Sequence, residues 1–332
     1  MCGLAGIVIK EEKRNAGQMA SIRHLAGELL MSAQVRGDHA TGLAIIDRDG
    51  QYLIHKRALP AKELVATDEF EAAIALIDEN TGAVIGHTRY ATQGSPKISK
   101  NNHPIRAGSV IGAHNGWVSN DDELFSKYGL KRFAEVDSEV LFRMLDSAET
   151  PDDFYKDMLK NVQGKVSMVW ADVEYPEHVY IFKGNNPLEM VFIKSLGVYA
   201  YASTLEILKE ALLYGGIIKY RRAKIKDWTA IRIDTKTFNM VKTGGVKIQK
   251  AKKRTTYYNT GGYNYGSGWT YSDKYGGYLY TSHEKPKTKV AKESDTVDGY
   301  VPRYSYRDKL VKTDDGSQIK MFEFKNKKKG NK

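Results

Sequence analysis

Cysteine is almost absent: Cys2 is the only one in 332 residues. A single cysteine makes no internal disulfide and rules out cysteine-rich zinc sites. Long apolar runs are also missing, so no segment reads as a membrane-spanning helix. The short apolar stretch Leu4 to Ile9 has no basic residue ahead of it and no small-residue cleavage site after it. It does not read as a secretory signal, and the expected location is the cytoplasm. No repeat of roughly 20–50 residues recurs, which excludes solenoids and propellers.

A hydrophobic share of 41% is enough for a sizeable core. The net charge of +11 is unevenly spread. Lys247 to Lys332 holds 20 Lys+Arg against 9 Asp+Glu; of the chain's 51 and 40, that leaves 31 of each sign before it. The whole excess therefore lies in the last quarter. A domain is expected over 2–246, and a basic, Tyr/Gly-rich and largely flexible extension over 247–332.

Hydrophobic periodicity orders the first part. Leu4 to Ile9 reads as a strand. Ala16 to Ala33 has Met19, Ile22, Leu25, Ala26, Leu29 and Leu30 at helical spacing. Strands Thr41 to Asp47 and Gln51 to Arg57 meet at Asp49-Gly50. Thr67 to Asn80 is predicted helical, with Thr67 or Asp68 as cap. Ala83 to Thr88 and Ser109 to Ala113 are predicted strands. Asn120 is placed to cap a short helix to Tyr128. Further helices are predicted over Asp137 to Asp146 and Pro151 to Asn161. Four strands lie between Val166 and Ala202, followed by helix Thr204 to Leu213 and short strands to about Val241. Two strand groups with helices between and outside them predict an α+β domain with sheets packed face to face.

The chemistry begins at Met1-Cys2-Gly3. A small second residue permits removal of Met1, leaving Cys2 with a thiol and a free α-amine. That amine, with a pKa of roughly 8, is able to accept the thiol proton and later protonate a leaving amine. The plain alternative is a second residue of a buried first strand. An oxyanion formed by thiolate attack needs donors. His114-Asn115-Gly116 offers the Asn115 side-chain amide and the Gly116 N–H, in a segment expected to turn tightly at Asn-Gly; an ordinary hairpin turn is the alternative. His114 is read as a satisfied core histidine. Arg89 suits bidentate capture of a carboxylate, or else a surface ion pair. Asp137 suits an α-ammonium, or else caps a helix. Acid, arginine, cysteine and Asn-Gly together fit an amino-acid amide, glutamine or asparagine.

These segments resemble class II glutamine amidotransferases. The matching pieces are Cys2 to Ile7, Arg36-Gly37 with Ala40-Thr41-Gly42, Gly86 to Thr92, Asn101 to Pro104, His114-Asn115-Gly116 and Asp137-Ser138-Glu139. They stand in the family's order over roughly residues 2–235, with Ala202 to Glu206 similar to its late strand-to-helix turn. The resemblance implies a four-layer αββα sandwich of the N-terminal-nucleophile type, with no cofactor and no metal. It implies that Cys2 is the nucleophile and that Asn115 and Gly116 form the oxyanion hole. Arg89 and Asp137 then bind the α-carboxylate and α-amine of L-glutamine. Thr92 and Gly94 lie in the closing loop, and His103 supports the region. The chain departs from the pattern at His39, Tyr90 and Gln93, which touch the site wall and lid.

The family's usual fused synthase has no counterpart here. Neither a Gly-x-x-x-x-Gly-Lys-Ser/Thr loop nor a Ser-Gly-Gly-x-Asp loop occurs. A stand-alone glutaminase is expected, which either passes its ammonia to an unknown acceptor or separate synthase or acts alone. The alternative is a catalytically silent module of the same fold. In the extension, nine aromatics from Tyr257 to Tyr280 alternate with Gly, Asn and Ser, flanked by Lys252 to Arg254 and Lys327 to Lys329. That composition suits docking to a partner protein, binding of single-stranded nucleic acid, or a solvated tether.

Overall fold

The computed structural model describes residues 2–248 together with 269–272, 277–280, 308–312 and 318–322. The chain divides into two compact units, Met1–Lys292 and Glu293–Lys332. The second contains one described hairpin, Asp308–Lys312 paired with Gln318–Phe322. In the first, Trp269–Ser272 pairs with Gly277–Tyr280. The expected flexibility of the extension and its nucleic-acid or partner docking fall mostly outside the described residues.

Residues 2–248 form an α+β sandwich. Its elements are β1 (Gly3–Ile9), α1 (Ala16–Ala33), β2 (Ala40–Asp47), β3 (Tyr52–Arg57), α2 (Ala61–Val65), α3 (Asp68–Ala75) and β4 (Thr81–Arg89). Next come β5 (Ile105–Ala107), β6 (Val110–Val118), α4 (Asp121–Lys127), α5 (Glu139–Ser147) and α6 (Pro151–Asp153), which runs on irregularly to Asn161. Then follow β7 (Gly164–Asp172), β8 (His178–Lys183), β9 (Glu189–Ile193), β10 (Val198–Ala202), α7 (Leu205–Tyr214), β11 (Arg221–Arg222), β12 (Thr229–Asp234) and β13 (Met240–Gly244). One antiparallel sheet has the order β11-β9-β10-β1-β4-β2-β3; the other has β13-β12-β8-β7-β6-β5.

Alternation along β1 explains how the layers stack. Ala5, Ile7 and Ile9 join α1, α2, α3 and α7 residues in one apolar cluster. Leu4 and Val8 join Ile111, Ala113, Val169 and Ile181 of the other sheet in a second. Successive side chains of a strand point to opposite faces, so β1 is buried on both. The outer face of the six-stranded sheet is covered by α4, α5 and the 154–162 segment, with Trp170 and Phe182 in the same cluster.

Several expectations are corrected. The helix predicted to Asn80 stops at Ala75, because Asp78 Oδ1 accepts the N–H groups of Asn80 and Thr81 and turns the chain into β4. Asn120 precedes α4, but its side chain caps nothing. It spends its amide on Asn161 O and Gln163 N, tying α4 to the approach to β7. The helix predicted from Asp137 begins at Glu139. Helix α2 lies in a stretch to which the sequence reading assigns no element. Asn115-Gly116 does not turn: β6 runs through both, pairing Asn115 with Ser167 and Gly116 with Val166. Gly116 sits at φ 148°, where a Cβ would overlap the Lys165 carbonyl oxygen, so close ladder pairing holds the glycine extended. Among the described residues no helix is long and apolar enough to cross a membrane.

Candidate active site

Four distant segments meet where the start of β1 adjoins the end of β4. Gly3 pairs with Thr88, which sets Cys2 beside Arg89 and Tyr90. The Cys2 thiol donates to the Tyr90 carbonyl at 3.7 Å, and Arg36 Nε donates to the Cys2 carbonyl at 2.7 Å. Burial pushes the thiol up from its ordinary value; the Arg89 charge pulls it down, and the Asp137 charge adds to the rise. The resting group is therefore a thiol at neutral pH, and attack by its sulfur requires a base.

Arg89 is only 2% exposed. It donates to Asn102 Oδ1 at 2.7 Å and to the carbonyls of Gln93 and Gly94. Three of five guanidinium N–H groups are thus occupied, leaving two for a ligand. The alternative reading of Arg89 as a surface ion pair does not hold, because the side chain is buried. Asn102 is itself fixed by Lys56, whose ammonium donates to the Asn102 and Pro104 carbonyls at 2.8 and 2.9 Å. Burial first, then the Arg89 charge, lowers Lys56 to about 8.

Asp137 is buried and caps no helix. Its Oδ2 accepts the Val118 N–H at 2.7 Å, and its Oδ1 lies 3.3 Å from Ser138 Oγ. Burial lifts its carboxyl to about 6; the Val118 bond opposes the rise and the Asp121 charge adds to it. The polar chain continues into His114, as the core reading of that residue anticipated. His114 Nε2 lies 3.1 Å from the Lys165 carbonyl and so carries the proton; Nδ1, 2.8 Å from Ser138 Oγ, accepts. Burial holds His114 at about 4, hence neutral. His87 donates to the His114 carbonyl at 3.1 Å. His103 is 3% exposed, packed against His87 and Phe142, with neither ring nitrogen partnered.

Thr92 and Gly94 line an open cleft of about 500 Å³, together with His39 and the rest of 91–96. Its loop is fastened at several points. Ala91 N–H donates to His39 Nδ1, Gln93 Nε2 donates to Glu135 O, and Arg89 holds two carbonyls. Tyr90 stacks on His39 with ring centres 4.8 Å apart.

Asn115 is fully buried between the sheets. Its Nδ2 reaches Ser203 Oγ at 3.3 Å, and Ser203 Oγ also accepts the Leu4 N–H at 2.8 Å. Asn186 Nδ2 donates to the Asn115 carbonyl at 2.8 Å. Sequence reasoning missed Lys56 and Asn186. Lys56 alternates in a strand like a solvated cation, and Asn186 stands in a Gly-Asn-Asn-Pro stretch that reads only as a turn. Among the described residues no group of three His, Cys, Asp or Glu side chains is placed to hold a metal.

No family model matches the chain. It is 26% identical over 207 residues to the 7-cyano-7-deazaguanine synthase of Sulfolobus acidocaldarius, covering 61% of this chain and 43% of the synthase. It is 28% identical over 195 residues to the glutamine–fructose-6-phosphate aminotransferase (isomerizing) of Haemophilus influenzae, covering 57% of this chain and 29% of the aminotransferase. This chain thus spans half or less of the length of these curated relatives. Among solved structures it is similar to glutamine phosphoribosylpyrophosphate amidotransferase from B. subtilis complexed with ADP and GMP. That likeness has a TM-score of 0.53 at 20% identity and covers 73% of this chain and 49% of the other. A structure described as the allosteric regulatory enzyme of purine biosynthesis gives a TM-score of 0.55, also at 20% identity, covering 74% and 50%. These likenesses to solved structures are likenesses of fold.

Proposed function

We propose that residues 2–246 form a class II glutamine amidotransferase domain, a four-layer αββα sandwich of the N-terminal-nucleophile type. It hydrolyses L-glutamine to glutamate and ammonia. The observation that carries the reading is the meeting of Cys2, Arg89, Asn115 and Asp137 from four segments, with Cys2 in electrostatic range of both charges. Similarity to two proteins whose names include amidotransferase or aminotransferase and glutamine supports the same substrate.

Removal of Met1 supplies the base that the protonated thiol lacks. The Cys2 α-amine accepts the thiol proton, and the thiolate sulfur attacks the side-chain carbonyl carbon of glutamine. The carbonyl oxygen becomes an oxyanion that the Asn115 amide and the Gly116 N–H stabilise. The C–N bond breaks as the Cys2 ammonium protonates the departing nitrogen, leaving ammonia and a γ-glutamyl thioester. Water then attacks the thioester, releasing glutamate and restoring the thiol. Arg89 gives its charge and one of its remaining N–H groups to the α-carboxylate, and Asp137 pairs with the α-ammonium. Thr92 and Gly94 form the lid, and His103 supports the wall. Ammonia passes to an acceptor or a partner synthase.

Glutamate release from purified protein, with mass spectrometry to establish Met1 removal, tests this. Cys2→Ala is expected to abolish release, and so is a form retaining Met1. Undiminished glutamate release from Cys2→Ala would sink the proposal.

A further inference from the structure

Ser203 is fully buried at the end of β10 and lies between the nucleophile strand and Asn115. Its backbone N–H donates to Leu4 O at 2.9 Å, and its Oγ accepts Leu4 N–H at 2.8 Å. That hydroxyl also accepts from Asn115 Nδ2 at 3.3 Å. A serine hydroxyl has one proton to give and two lone pairs to fill. Here both lone pairs are filled and the proton has no acceptor. The neighbouring Asn115 Oδ1 has the opposite defect: it is buried and no donor reaches it. Buried polar atoms without partners are uncommon and costly.

A half-turn of the Asn115 amide removes both defects. Oδ1 moves onto Ser203 and accepts its proton, while Leu4 N–H keeps its bond to Oγ. Nδ2 then stands where Oδ1 stood, with its protons released from Ser203. The Asn115 backbone need not move, because Asn186 continues to hold its carbonyl. The resulting chain runs from Leu4 N–H through Ser203 O–H to the Asn115 amide oxygen, and successive bonds of this kind polarise one another.

We infer that Ser203 is a positioning residue for glutamine hydrolysis: its hydroxyl holds the Asn115 amide with the nitrogen turned toward the forming oxyanion. This rests on the reading of Asn115 as an oxyanion donor. With the amide turned in this way the hydroxyl takes the amide oxygen, and Nδ2 is left for the oxyanion. The same hydroxyl is bonded two residues from Cys2, so nucleophile and oxyanion donor share one anchor.

The test is steady-state glutaminase kinetics on Ser203→Ala, Ser203→Thr, Asn115→Ala and the Ser203→Ala/Asn115→Ala pair. Removing a single oxyanion donor typically costs about 10²–10³ in kcat. Ser203→Ala is expected to lower kcat about tenfold or more with KM within about twofold, and Ser203→Thr to restore kcat to within about threefold of the parent. The double variant is expected to match Asn115→Ala alone within about twofold, because Ser203 acts only through Asn115. If Ser203→Ala does not fold, Ser203→Cys fills the same space with a weaker hydrogen-bonding group and is expected to show the same kcat loss. Unchanged kcat in the folded variant, losses that multiply in the double variant, or a KM rising in step with the loss would overturn the inference. An inactive parent protein would instead remove the proposed activity itself, so the two failures are distinct.

Discussion

Replacing Asp137 by Asn is expected to stabilise the protein while weakening the proposed binding of glutamine. The Asp137 carboxyl titrates at about 6, against 3.8 for the free group. That is a shift of roughly two units, or about 3 kcal/mol at about 1.4 kcal/mol per unit. The folded chain thus holds this proton more tightly than the unfolded chain. Stability therefore falls as pH rises from about 4 to about 6 and is level above that, with the full cost present at neutral pH. Asparagine never ionises and escapes the cost. It also keeps the Val118 bond through its oxygen, and its nitrogen donates to Ser138 Oγ where the carboxylate accepted from it, which frees the Ser138 proton for His114. Melts at pH 8 are expected to show the variant about 3 kcal/mol more stable, roughly 6–12 °C in Tm for a domain of this size. At pH 3.5 the two proteins are expected to melt together. For the parent protein, log KM in the proposed glutaminase reaction is expected to rise about one unit per pH unit below about 6, as the proposed partner of the α-ammonium is neutralised. Loss of that partner in the variant is expected to raise KM by roughly 10²-fold or more. A variant less stable than the parent at pH 8, or a stability difference that persists at pH 3.5, would refute the ionisation argument.

Two further outcomes follow from the same geometry. Arg89→Lys keeps the charge but not the planar fork that serves Asn102, Gln93 and Gly94 at once; glutamine KM is expected to rise roughly 10²-fold, with a smaller change in kcat, in initial-rate assays. Gly116→Ala forces a Cβ against the Lys165 carbonyl at φ 148°. A loss of roughly 1–3 kcal/mol or more is expected in urea melts, with turnover lost as well.

Helices with their own caps were legible in the sequence. Helix α1 begins and ends where its apolar spacing predicts, because Asn15 and Gln18 cap it reciprocally and its stripe is wide enough to be buried whole. Helix α7 is marked by a one-way cap, Thr204, whose side chain accepts the Ile207 N–H. The β6 segment was not legible. Asn-Gly is a strong local turn signal, and here nine residues of pairing with β7 override it. The candidate site shows the same division. Cys2, Arg89, Asn115, Gly116 and Asp137 were all singled out by chemical type and by resemblance. Their supports were not, since Lys56, Asn186 and the hydroxyl of Ser203 act on residues 46, 71 and 88 positions away. No local pattern encodes such a partner.

Strand β1 carries one more consequence. It is hydrogen-bonded to β10 on one side and β4 on the other, and every residue in it is buried. Its amides are shared between the two ladders, so exchange of the whole set requires both ladders to open, which amounts to opening the sheet. The residue just before it inherits that rigidity. The 91–96 loop, by contrast, lines the open cleft at the rim, while the Cys2 sulfur stays next to one of the most tightly held strands of the domain.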